Sequence, residues 1–83
     1  MDAANRAAPL LTASAFVVDK RSQVGGNEYG SVTAYFVTFE LEDRQRIEIP
    51  VTGGASGQMV IGDRGILTWQ GTQFHSFQRE VLR

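Results

Sequence analysis

Apolar and polar side chains alternate with a period of two through most of this chain, the mark of strands that bury one face. The pattern is cleanest over residues 31–42, where Tyr35, Val37, Phe39 and Leu41 fall on one face and Ala34, Phe36, Thr38 and Glu40 on the other. Residues 46–51 answer it, with Ile47, Ile49 and Val51 facing one way and Arg46 and Glu48 the other. A two-residue turn would set Leu41 opposite Arg46, so a three-residue loop Asp43-Arg44-Gln45 is predicted, aligning Leu41 with Ile47 and Phe39 with Ile49. Such a loop favours a left-handed residue at its end, where Gln45 is an unusual occupant. Pro50 has no N–H to donate, so this strand is an edge or close to its end.

Residues 10–24 carry apolar groups on both faces, as expected of a strand curling within a small barrel, and Asp19-Lys20-Arg21 marks its emergence into water. Three glycines in Gly25-Gly26-Asn27-Glu28-Tyr29-Gly30 predict a loop. Residues 52–59 hold three more glycines and no strand pattern, with room for a helical turn over 56–60. Gly62-Asp63 then reads as a tight turn into a last hairpin. Its Gly71-Thr72 fits a two-residue type II′ turn that pairs Trp69 with Phe74 and Thr68 with His75. No apolar periodicity precedes Leu10, and Pro9 disfavours helix at Ala8, so residues 1–9 read as a linker. Residues 10–83 are then one all-β domain of five strands of similar length. The expected architecture is a small antiparallel barrel or half-open barrel, OB-like or SH3-like.

Composition narrows the chemistry. Eight Lys and Arg against nine Asp and Glu leave a net charge of −1, without the basic excess that a phosphate-backbone binder needs. The absence of cysteine removes disulfides, thiolate nucleophiles and Cys-based zinc sites. A single histidine makes a His-ligated metal or a His-centred relay hard to assemble. No run approaches the roughly 18 apolar residues of a membrane span, and no signal-peptide core is present, so the chain itself is expected to be soluble.

Each candidate constellation also has a plain structural reading. His75, beside Phe74 and Phe77, suits a structural or surface role. Glu40, Glu42, Asp43 and Glu48 are interleaved with Arg44 and Arg46 and read as a solvated mixed-charge face, although the predicted register opposes Glu40 to Glu48. The glycine runs lack the Lys-Ser/Thr ending of a phosphate loop. Trp69, Phe74, Phe77 and Arg79 could stack bases in an OB-like binder of single-stranded nucleic acid or oligosaccharide, but a domain this small needs such rings in its core. The expectation is a non-enzymatic binding module with no catalytic, cofactor or metal site. Its candidate interaction surface is Phe74, His75, Phe77 and Arg79. Nucleic acid is not an expected partner. The terminal strand, residues 73–80, is a candidate edge whose Phe74-His75-Ser76-Phe77 carries neither proline nor formal charge at neutral pH, and a weak symmetric homodimer through edge pairing or an exposed Phe77 is expected.

The order Ala15-Phe16-Val17-Val18-Asp19-Lys20-Arg21, Tyr35-Phe36-Val37-Thr38-Phe39-Glu40 and Ile61-Gly62-Asp63-Arg64-Gly65-Ile66-Leu67-Thr68 with Gln70-Gly71-Thr72-Gln73-Phe74 resembles a bacterial family of unknown function, the YhhM-like proteins. The resemblance spans roughly residues 12–79. It implies a small β domain behind one N-terminal transmembrane segment, so that the full-length protein would be membrane-anchored and residues 1–9 would be juxtamembrane linker. A protein or cell-envelope component would then be the partner. Two departures are a loop at Asp43-Arg44-Gln45 without glycine and no aromatic in Gly57-Gln58-Met59. No site residues follow from the family.

Overall fold

A computed structural model describes residues 3–80. The elements run α1 (Ala3–Ala7), β1 (Leu10–Asn27), β2 (Gly30–Leu41), β3 (Arg46–Val51), α2 (Gly53–Gln58), β4 (Arg64–Gln70) and β5 (Gln73–Arg79). The strands form one antiparallel sheet in the order β3-β2-β1-β4-β5. The sheet curls without closing, a half-open barrel whose two edges are β3 and β5, the two strands singled out as edges from their sequence.

The inner face is built from the alternating positions. Val37 and Phe39 of β2, Ala15 and Val17 of β1, Ile49 of β3 and Leu67 and Trp69 of β4 are buried, and Met59 closes the core from the end of α2. A bulge after Val17 resets the alternation of β1 and turns Lys20 to the inner side. The Gly62-Asp63 turn docks against this bulge: the Gly62 N–H donates to Val17 O at 2.7 Å, and the Val17 N–H donates to Asp63 O at 2.9 Å.

Several expectations need correction. Strand lengths are uneven, with 18 residues in β1 against six in β3. Gly25 and Gly26 are not loop: β1 and β2 run on as a ribbon in which Gly26 pairs with Ser31 and Asn27 with Gly30. A side chain at Gly26 would meet Gly30 O at 2.6 Å, so here glycine permits the ladder that its propensity argues against. The Asn27 side chain accepts the Tyr29 N–H at 2.8 Å and closes the turn.

Between β2 and β3 the face assignment holds but the register moves by two. Phe39 opposes Ile47, Val37 opposes Ile49, and Glu40 opposes Arg46 rather than Glu48. The loop is Glu42-Asp43-Arg44, closed by the Leu41 N–H donating to Gln45 O at 2.8 Å, and its left-handed residue is Arg44 at φ 67°. The Asp43 carboxylate accepts the Gln45 N–H at 2.9 Å and steadies that shape. In the last hairpin Gly71 has φ 60° while Thr72 does not take positive φ, which fits the type II′ turn. Trp69 pairs with Phe74, but a bulge then sets Thr68 opposite Ser76, and His75 is the extra residue.

The helices also differ from expectation. Ala3–Ala7 is helical, and it rests on the β4–β5 turn: Asn5 Oδ1 accepts the Thr72 N–H at 2.9 Å, and Gln70 Nε2 donates to Ala8 O at 3.0 Å. α2 starts at Gly53 rather than Ser56, because Thr52 caps it by accepting the Ala55 N–H at 3.1 Å.

Candidate functional site

The sheet is open at β5, and α2 lies across from that opening. Between them runs a cleft of about 540 Å³ lined by Ala55, Gln58, Met59, Phe74, Ser76, Phe77 and Arg79. Its floor is aromatic. Phe74 and Phe77 are half-buried, each with one face toward Phe39: the Phe39 and Phe74 rings stack with centroids 6.4 Å apart, and Phe77 tilts against Phe39 at 5.5 Å. Phe77 lies opposite Leu67, and its ring fits because Gly65, diagonally across on the same face, has no side chain. A Cβ there would meet Gln78 O and the tip of the Phe77 ring.

The rim is polar and tied to the α2 end. The Arg79 guanidinium donates through Nε to Asp63 Oδ2 at 2.9 Å and through Nη2 to Gln58 O at 2.7 Å. The same Asp63 oxygen accepts the Val60 N–H at 2.9 Å. From the other side Lys20 Nζ donates to Met59 O at 2.7 Å. Two cations thus satisfy carbonyls at the C-terminal end of α2, where a helix leaves them without intrahelical donors. Arg79 fastens β5 to α2 across the cleft.

Among the described residues no strand pairs with the outer edge of β5, which presents backbone groups. The Glu80 N–H donates to Arg64 O at 2.8 Å. Antiparallel alternation then turns the N–H and C=O of Phe77 and Arg79 away from β4, toward the opening. The cleft therefore combines an apolar floor with a strand edge that can accept main-chain hydrogen bonds.

Of the four candidate surface residues, the structure brings Phe74, Phe77 and Arg79 together on the cleft. His75 is elsewhere: next to Phe74 along β5, it is turned to the other face and exposed, with Nε2 3.3 Å from Gln70 Oε1. Sequence reasoning missed the α2 side of the cleft, Ala55, Gln58 and Met59. The Thr52 cap was the available signal for that helix. The acidic residues are divided among arginines, Glu40 with Arg46 at 2.9 Å and Glu48 with Arg21 at 2.7 Å. Arg21 also lies 4.0 Å above the Phe36 ring, and its hydrogen bond to Glu48 holds that carboxyl below its ordinary pKa and raises its own. Among the described residues no helix is long and apolar enough to cross a membrane.

Residues 1–78 match the family described as a protein of unknown function, DUF2500. An X-ray structure of a DUF2500 protein from Klebsiella pneumoniae is 25% identical, covers 87% of this chain and 99% of its own, and superposes with a TM-score of 0.75. A crystal structure from Proteus penneri has the same fold, with 23% identity, a TM-score of 0.77, and coverage of 90% of this chain and 100% of that one. No curated protein matches the chain.

Proposed function

The chain belongs to the DUF2500 family of proteins of unknown function, and from that premise we propose that it is a non-enzymatic interaction module. It takes a protein or cell-envelope component at the cleft between β5 and α2. The observation that carries this reading is the pairing of Phe74 and Phe77 with the β5 edge: one side of each ring serves the core, the other lines an accessible groove beside unpaired backbone groups. The ligand chemistry that fits is an extended segment whose apolar side chain enters the groove while its backbone extends the sheet. In this reading the domain is held near a membrane by a segment that precedes the present sequence. Inward-facing rings and a net charge of −1 weigh against the nucleic-acid alternative.

The test is photocrosslinking in cells with the full-length protein. A crosslinkable residue at Gln58, on the α2 side of the cleft, should trap a discrete partner, a second at Thr12 on the outer face should not, and Phe77→Ala should remove the adduct. Equal yields at both positions would refute the site. Recovery of the full-length protein in the membrane fraction tests the tether, and recovery entirely in the soluble fraction would remove it.

A further inference from the structure

The outer face carries a row of side chains that crosses the sheet from edge to edge. Arg46 of β3 lies opposite Glu40 of β2, Glu40 opposite Phe16 of β1, and Phe16 opposite Arg64 of β4. Arg64 in turn lies beside Glu80, just past the end of β5, whose N–H it accepts. Directly opposed residues on neighbouring strands share a face. Phe16 is 40% exposed between the buried Ala15 and Val17, so the row points away from the core. Its charges read plus, minus, neutral, plus, minus. Within the chain the two halves are bridged separately, Arg46 Nε to Glu40 Oε2 at 2.9 Å and Arg64 Nε to Glu80 Oε2 at 3.3 Å. The Arg64 guanidinium also sits 5.5 Å from the Phe16 ring centroid.

Reversed end to end, this row complements itself. A two-fold axis running along β1 through Phe16 sets Arg46 against Glu80 of a second copy, Glu40 against its Arg64, and Phe16 against its Phe16. Stacking the rows in the same direction instead opposes like charges. We propose that the outer face is a self-association surface on which two copies stack about this axis. Phe16 is its centre, and Arg–carboxylate contacts lie on both sides. Ile66, in the adjacent row with Ser14 and Gln78 and also exposed, enlarges the apolar centre. Exposed charges of this kind fix orientation more than they supply affinity, so the dimer is weak and salt-sensitive. The β5–α2 cleft opens on the other side of the sheet and stays accessible, so this inference is independent of the proposed binding role.

Sedimentation equilibrium up to millimolar protein, at low and high salt, tests it with two charge reversals. Glu40→Arg and Arg64→Glu each place like charges opposite one another at two symmetry-related contacts. Each variant alone should dimerise about tenfold more weakly or worse. An equimolar mixture should recover wild-type affinity, because the new arginine at position 40 then faces the new glutamate at position 64 while native Arg64 faces native Glu40. If either variant fails to give a native circular dichroism spectrum, Arg46→Glu with Glu80→Arg applies the same logic at the outer contacts. A wild-type protein that stays monomeric at millimolar concentration in low salt overturns the proposal. So does a mixture no tighter than its components, or undiminished association of both variants alone, which would point to pairing along the β5 edge.

Discussion

β1 and β2 each pass through two environments without a break, and the contrast shows what the sheet's hydrogen bonds do and do not supply. In the body, their partners on either side are β4 and β3, and their inner side chains include the buried Ala15, Val17, Val37 and Phe39. From about residue 23 of β1 and up to residue 34 of β2, the same two strands continue as an arm. There β4 and β3 no longer accompany them, and every residue is exposed. Val24 and Val32 lie on opposite faces of the ribbon and form no joint apolar patch, and Tyr29 at the tip is 88% exposed. Both regions have a cross-strand ladder; only the body has a core. A lone two-stranded ribbon is marginal in water, so the arm borrows its order from the body.

The strongest way to break this contrast is to empty the body. Phe39→Ala removes the ring on which Phe74 and Phe77 rest, at a cost of about 3–5 kcal/mol, which is comparable to the whole margin of a domain this small. Urea titration followed by circular dichroism should show loss of the cooperative transition, and a cost below about 1 kcal/mol would place Phe39 outside the core. Gly65→Ala comes next. Its Cβ must displace the Gln78 backbone and the Phe77 ring, for a loss of roughly 1–3 kcal/mol in the same assay.

Changes in the arm should be far milder. Replacing residues 24–33 by Asn-Gly, which joins the paired Gln23 and Ala34 through a two-residue turn, should shift the unfolding free energy by no more than about 0.5 kcal/mol. A loss comparable to that of Phe39→Ala would mean the ribbon belongs to the cooperative unit. The smallest effect lies where arm and body meet. Arg21→Ala should let the Glu48 carboxyl return upward toward its ordinary pKa in an NMR titration. The lowered value means that this pair's contribution is present above the unfolded carboxyl's pKa and fades as pH falls through the folded one. An unmoved Glu48 titration would show that the ion pair is not formed in solution.

Burial explains which of these features were legible in the sequence. Wherever one face is buried, the period of two is enforced by packing, and the faces of β2 and β3, the edge role of Pro50 and the Trp69–Phe74 pair could be read directly. Where packing does not choose, local chemistry decides, and alternation alone does not reveal the outcome. The β2–β3 register was set by a left-handed Arg44 and the Asp43 side chain, neither of which disturbs the face pattern. The arm looked like loop because glycine is a poor strand former, yet Gly26 is what lets the two backbones approach. His75 lies off the candidate surface because alternation turns it to the face opposite Phe74, while the bulge beside it returns Phe77 to Phe74's face, and α2 contributed half of the cleft from a glycine-rich segment marked by a capping threonine.

Native-state hydrogen exchange resolved by NMR tests the contrast most directly. The amides of Val37, Phe39 and Leu67 should exchange only through global unfolding. The laddered amides of residues 24–32 should exchange faster by on the order of 100-fold or more, with rates unaffected by low urea. Arm amides protected to the same degree as Phe39, and losing protection with the same urea dependence, would contradict the account.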